Sequence, residues 1–193
     1  MRAWTRSHAV LPAGVIVLTA AALVRIFPRA VLGVPSFLTG QIVTLPLGYV
    51  VAILPSLVWI VCRLRGRSVL ERVSPRRTQL AVAECGYCVF LAAVFAAVLL
   101  SGGGGVLAGS ARNAVFGASM ALVAMSLVPT VAALLGPVAT LLACVFFGFP
   151  ASTSHASRWA VLVTPWSAWH LFILIAVPAA LAFYVGARRS RSF

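Results

Sequence analysis

Long apolar runs alternate with short polar or breaker-rich segments along this chain, and most of the runs are longer than any ordinary strand. A helix that crosses a bilayer needs about 20 mostly apolar residues, which predicts spans at about 9–27 and 40–62. The connection from Pro28 to Pro35 has breakers at both ends and is apolar enough to lie along the membrane interface. A third span, 79–100, stops at Ser101 and the glycines 102–105. The stretch from Ala111 to Phe149 holds Pro129 near its middle and Gly136-Pro137 further on. A turn at Val128-Pro129-Thr130 divides it into spans 111–127 and 130–148, with Gly136-Pro137 kinking the second. A re-entrant pair is the alternative, because short Pro/Gly-interrupted segments line protein-buried cavities. The last span, 166–186, follows a polar connection centred on Ser152, Ser154, His155 and Arg158. Trp166, Trp169 and His170 at its entry match an interfacial belt.

Composition supports the pattern. The chain is 62% hydrophobic and 9% charged, against about 25% charged in soluble domains. An ordinary soluble domain is excluded. The formal charge of +13 comes entirely from arginine. Arginines on one face would suggest nucleic acid, but here they cluster between apolar runs, as topology determinants do. Met1 to Val24 imitates a secretory signal, with Arg2 and Arg6 ahead of apolar residues. The run continues to Phe27, so an uncleaved first span is expected. Placing the N-terminus, the 63–78 loop and the C-terminus together gathers Arg2, Arg6, six loop arginines, Arg188, Arg189 and Arg191 on one side. The other side keeps Arg25, Arg29, Arg112 and Arg158. The arginine-rich side is therefore expected to be cytoplasmic. The expectation is one all-α polytopic membrane domain over 1–193, with six transmembrane helices, both termini cytoplasmic, and membrane lipids rather than nucleic acid around it.

Candidate chemistry is sparse. Glu71 and Glu84 are the only acids, and no H-E-x-x-H, paired aspartates or glycine loop before a lysine occurs. No cofactor or metal is expected. Cys85-Gly86-Tyr87-Cys88 matches C-x-x-C, but Cys62, Cys85, Cys88 and Cys144 all fall in apolar runs, where a thiol acts as a small hydrophobe. Ser154 with His155 or His170 lacks an acid to orient the imidazole, and nothing sets the two histidines on facing helices to hold haem. Gly117 with Ala121, and Ala114 with Ala118, have the small-x-x-x-small spacing of close helix packing or dimerisation. Arg25 and Arg112 read as anchors that snorkel outward.

Two features remain. Glu84 is an ionisable residue inside the third span, where such groups face a partner or a cavity. It either snorkels inward to an arginine such as Arg76 or Arg77, or makes a buried contact with another subunit or a conformational latch. The basic loop contains Ser68-Val69-Leu70-Glu71-Arg72-Val73, with a serine N-cap and Glu71 at the capping-box spacing. Ser74-Pro75 then stops the helix. The result is a short helix with Val69, Leu70 and Val73 on its surface. A purely topogenic loop needs no such apolar face; a docking helix does.

With Leu70-Glu71-Arg72, Pro75-Arg76-Arg77 opening the third span, Ala111 to Gly117 opening the fourth and Thr164-Pro165-Trp166 entering the last, the chain resembles the membrane subunit of a type-2 ABC exporter, of the small actinobacterial kind. The resemblance covers most of the chain through short motifs. It implies six spans, a second permease copy or a different permease chain, and a separate ATP-binding subunit docked on a coupling helix, here Ser68 to Val73 with Glu71 facing the ATPase. The segment Met1 to His8 is too short for the interfacial helix of many relatives, and the outer loops are small. The implied function is export of an amphipathic compound, peptide or lipid across a bacterial cytoplasmic membrane, with ATP hydrolysis on the partner. A non-transporting interaction or immunity protein is the alternative, and an intramembrane enzyme or haem protein the third reading.

Overall fold

The computed structural model of the chain describes residues 10–35, 40, 42–66, 77–148, 160, 162, 163 and 179–186. It is mainly helical. Helix α1 spans Val10–Ile26, α2 Leu47–Val51, α3 Leu54–Gly66, α4 Arg77–Leu100, α5 Gly105–Leu127, α6 Thr130–Ala133 and α7 Leu135–Phe147. Residues 179–186 are also helical. Among the described residues three helical stretches are long and apolar enough to cross a bilayer: Leu47–Leu64, Val82–Leu100 and Gly105–Leu127. Val10–Ile26 and Val131–Phe147 are shorter apolar helices.

Exposure supports a lipid setting. On α1 the buried positions are small or β-branched (Ala13, Val17, Ala20, Ala21, Val24), whereas Leu11, Val15, Ile16, Leu23 and Ile26 are exposed. Water favours the reverse arrangement. In a bilayer large apolar side chains meet acyl tails, and small residues let helices approach.

The region before the second span corrects the sequence expectation. The connection carries a two-stranded antiparallel hairpin, β1 (Val31–Pro35) and β2 (Ile42–Pro46), with Val31 opposite Pro46 and Pro35 opposite Ile42. Alternating β-branched and apolar residues suit a half-covered ribbon, and the prolines stand at strand ends, where a missing N–H costs little. This small ribbon is an addition to a fold that is otherwise helical among the described residues. The second span starts at Leu47, not Gly40, and runs to Gly66. It is interrupted at Ala52-Ile53, because Pro55 cannot donate to the carbonyl of Val51.

Helix directions follow from the contacts. Tyr87 of α4 donates to the Val10 carbonyl at 3.2 Å, and Arg25 at the other end of α1 reaches the Val98 carbonyl and the Ser101 hydroxyl. Helices α1 and α4 are thus parallel. Arg63 near the end of α3 meets Glu84 early in α4, so these two are antiparallel. Gly109 of α5 lies against Tyr49 of α2, and Gly117 against Ser56 of α3. Helix α5 therefore runs with α2–α3 and against α4. Gly136, just past the turn, sits against Ala124, which brings α7 back antiparallel to α5. The turn falls at Val128-Pro129 as expected, both residues being extended. The break between α6 and α7, at Leu134, lies one turn before Pro137, where proline strains the preceding turn.

Helix α5 is the centre of the bundle, packing on α2, α3, α4, α6 and α7. Gly117, Ala121, Ala114 and Ala118 are all buried within this one chain, so the small-residue pairs serve intrachain packing. The hydroxyls of Ser110, Ser119 and Ser126 bond to carbonyls three or four residues back on their own helix. Small polar residues thereby fill the centre without orphaned donors. A smaller core joins Leu45 and Ile53 to Leu141, Cys144 and Val145 of α7 and to Ala160, Leu162 and Val163.

Candidate functional site

The best-built polar site lies at the base of the basic loop. Arg63, one turn before the end of α3, is 4% exposed, and its Nη1 stands 2.8 Å from Oε2 of Glu84. Tyr184, fully buried in helical segment 179–186, donates its hydroxyl to the same carboxylate oxygen at 3.1 Å. That hydroxyl also accepts from Arg63 Nη1. The guanidinium carbon lies 5.6 Å from the Tyr184 ring centroid, within cation–π range. Two segments, α3 and 179–186, therefore close on one carboxylate of α4.

This arrangement gives Glu84 a buried contact, while Arg76 and the side chain of Arg77 lie outside the described residues. Among the described residues the carboxylate is held by Arg63 and Tyr184, both in its own chain. Arg63, counted as a loop arginine from sequence, is a helical residue of the bundle interior. Its neighbours Cys62 and Leu64 are the signal that was available: an arginine flanked by apolar residues continues a span as readily as it ends one. Tyr184 carried no distinguishing signal. It looks like any aromatic near the end of a span.

A second polar cluster sits towards the other end of the bundle, and it corrects the reading of Arg112. Helix α5 begins at Gly105, six residues before the expected start at Ala111. Arg112 is thus about 10 Å along the helix and 5% exposed, not a terminal anchor. Its Nε donates to Oδ1 of Asn113 at 3.0 Å, and its guanidinium lies 5.9 Å from the Tyr49 ring centroid. Asn113, fully buried, donates through Nδ2 to the Leu162 carbonyl at 2.6 Å and so fastens the 160–163 segment to α5. Arg25, by contrast, is exposed at the end of its helix as expected, tied to Val98 and Ser101.

The cysteines are all free and buried. Cys85 and Cys88 share the inner face of α4, and the Cys88 thiol lies 3.9 Å from the Ala118 carbonyl of α5. Among the described residues no group of three His, Cys, Asp or Glu side chains is gathered to hold a metal. The coupling-helix residues Ser68, Val69, Leu70, Glu71, Arg72 and Val73 lie outside the described residues, as do Arg76, Ser154, His155, Trp166 and His170.

No protein-family model, no curated protein and no solved structure matches the chain. What the chain is similar to therefore rests on its own residues: a membrane protein of apolar helices whose one acid in a span is locked into a buried pair.

Proposed function

We propose that the chain is the permease subunit of an ATP-driven exporter in a bacterial cytoplasmic membrane, crossing six times with both termini in the cytosol. The observation that carries this reading is the Arg63–Glu84–Tyr184 cluster. It clasps α3 and α4, the two helices that flank the 67–76 segment, within one turn of that segment on one side and two on the other. A push on this loop by a docked ATPase reaches a rigid clasp rather than two independent helix ends. The same clasp holds the last helix, so movement of the loop is shared by three spans. Helices α1, α2–α3, α4, α5 and α7 alternate in direction, and Tyr184 near the end of segment 179–186 lies at the loop end of the bundle, where a sixth crossing would finish.

Substrates on this reading are amphipathic compounds, peptides or lipids, the partner is a separate ATP-binding subunit docked on Ser68 to Val73, and a second copy or a different permease chain completes the translocation path. Glu71→Arg is expected to reduce recovery of the ATPase with the affinity-purified chain about tenfold or more, while membrane insertion is unchanged. A charge reversal in a desolvated pair commonly removes several kcal/mol. Undiminished ATPase recovery sinks the docking assignment. If no ATPase accompanies the wild-type chain from native membranes, a non-transporting interaction or immunity protein becomes the better account.

Topology has its own check. In a background lacking Cys62, Cys85, Cys88 and Cys144, single cysteines at Gly105 and Ser190 are expected to label from opposite sides of the membrane. Gly105 suits the probe because a side chain there meets nothing within 4 Å. Labelling from one side rejects the even count and favours a re-entrant 111–149 segment.

A further inference from the structure

At the opposite end of the bundle from the clasp lies a cleft of about 380 Å³, lined by Arg25, Pro28, Arg29 and the turn from Gly102 to Leu107. Two of its lining residues are cationic and none is acidic. Glu84, the acid among the described residues, holds Arg63 at the other end of the bundle. Arg25 is pre-positioned, because both of its bonds, to the Val98 carbonyl and the Ser101 hydroxyl, leave from Nη1. Its Nε and Nη2 stay outside those bonds. Arg29 is exposed and makes no hydrogen bond or ion pair among the described residues.

The floor of the cleft adds donors. Gly103 and Gly104 have φ of 69° and 92°, a conformation that favours glycine, and they leave the backbone of the turn uncovered by side chains. Gly104 caps α5 with no side-chain hydrogen bond, and the first amide engaged there is that of Ala108, with the Gly104 carbonyl at 3.1 Å. The amides of Gly105, Val106 and Leu107 therefore border the same space as the two guanidiniums. Forked guanidinium donors and backbone amides are the groups that recognise phosphate oxygens.

The surroundings discriminate between a free phosphate and a lipid. Next to the arginines in sequence, Ile26 and Phe27 at the end of α1 are 66% and 60% exposed. We propose that this cleft binds the phosphodiester headgroup of an anionic phospholipid, with Arg25 and Arg29 on the phosphate and the exposed Ile26 and Phe27 available to its acyl chains.

The test uses the full chain in detergent, titrated with phosphatidylglycerol or phosphatidylcholine and read by native mass spectrometry. Arg29→Gln removes no bond of the fold and is expected to weaken phosphatidylglycerol binding about fivefold. Arg25→Gln/Arg29→Gln is expected to weaken it more than tenfold. Gly105→Glu sets a carboxylate at the cleft mouth and also weakens binding, whereas Gly105→Ala does not. Arg188→Gln/Arg189→Gln, which removes the same charge at the C-terminus, is expected to change affinity less than twofold. Millimolar inorganic phosphate leaves the lipid bound. Unchanged binding in Arg29→Gln, equal loss in the C-terminal control, equal affinity for phosphatidylcholine, or displacement by inorganic phosphate overturns the proposal.

Discussion

Glu84→Gln is expected to destabilise the folded chain by about 3–5 kcal/mol, the usual consequence of leaving one member of a buried ion pair uncompensated. Arg63 is 4% exposed, so its guanidinium cannot reach the headgroup region without opening the contact between α3 and α4. The glutamine still accepts from Tyr184, but it supplies no charge. Tyr184→Phe is a graded control: the ring still faces the guanidinium while the hydroxyl bridge is lost, which costs about 1 kcal/mol. Arg63→Met/Glu84→Leu removes both charges and is expected to recover most of the stability lost in the single variant, as apolar replacements of buried pairs do. Equilibrium unfolding of the purified chain in mixed micelles measures all three. If the single and double variants fall equally, the pair is not what holds these helices together. The same series bears on function, since the double variant restores packing without the charge pair. A double variant that folds yet loses substrate-dependent ATPase stimulation in its complex separates coupling from mere stability.

Gly109→Ala carries the second large effect. A Cβ at this position meets the Tyr49 hydroxyl at 2.6 Å and two further ring atoms within 2.9 Å. Tyr49 is itself 5% exposed and lies against the Arg112 guanidinium, so the ring has little room to yield. Overpacking of this kind costs about 1–3 kcal/mol, despite the better helix propensity of alanine. Gly86→Ala is the matched control. It lies on α4, where a Cβ meets nothing within 4 Å, and it is expected to be neutral or to stabilise by up to about 1 kcal/mol. Thermal unfolding in detergent distinguishes the two glycines. Equal behaviour rejects the tight α2–α5 contact.

The solvent of this protein is legible from the chain alone. Apolar runs near bilayer length with most arginines gathered between and around them point to a membrane, and Pro129 marks the reversal after α5 because its ring cannot continue a helix. The spacing of small residues along Ala114, Gly117, Ala118 and Ala121 likewise announces close packing, though not that the partners are helices of the same chain. Boundaries are less legible. The start of α5 moved from Ala111 to Gly105 and the start of the second span from Gly40 to Leu47, because glycine and β-branched residues have weak local preferences that burial and strand pairing override. The hairpin 31–46 was missed for that reason: its register depends on which strand lies alongside, not on either strand alone.

The placement of the charges, by contrast, is a tertiary matter. In a membrane an arginine within apolar flanks has two solutions, to snorkel to an interface or to find a buried partner, and local sequence does not choose between them. Arg25 took the first, and Arg63 and Arg112 took the second. The choice was made by α4, which brings Glu84 to Arg63, by segment 179–186, which adds Tyr184, and by α2, which lays Tyr49 over Arg112. Each partner lies at a sequence distance that no helical or strand periodicity encodes. Hydrophobic length is a local quantity and is readable from the chain, whereas the pairing of a few buried charges is a property of how the helices meet.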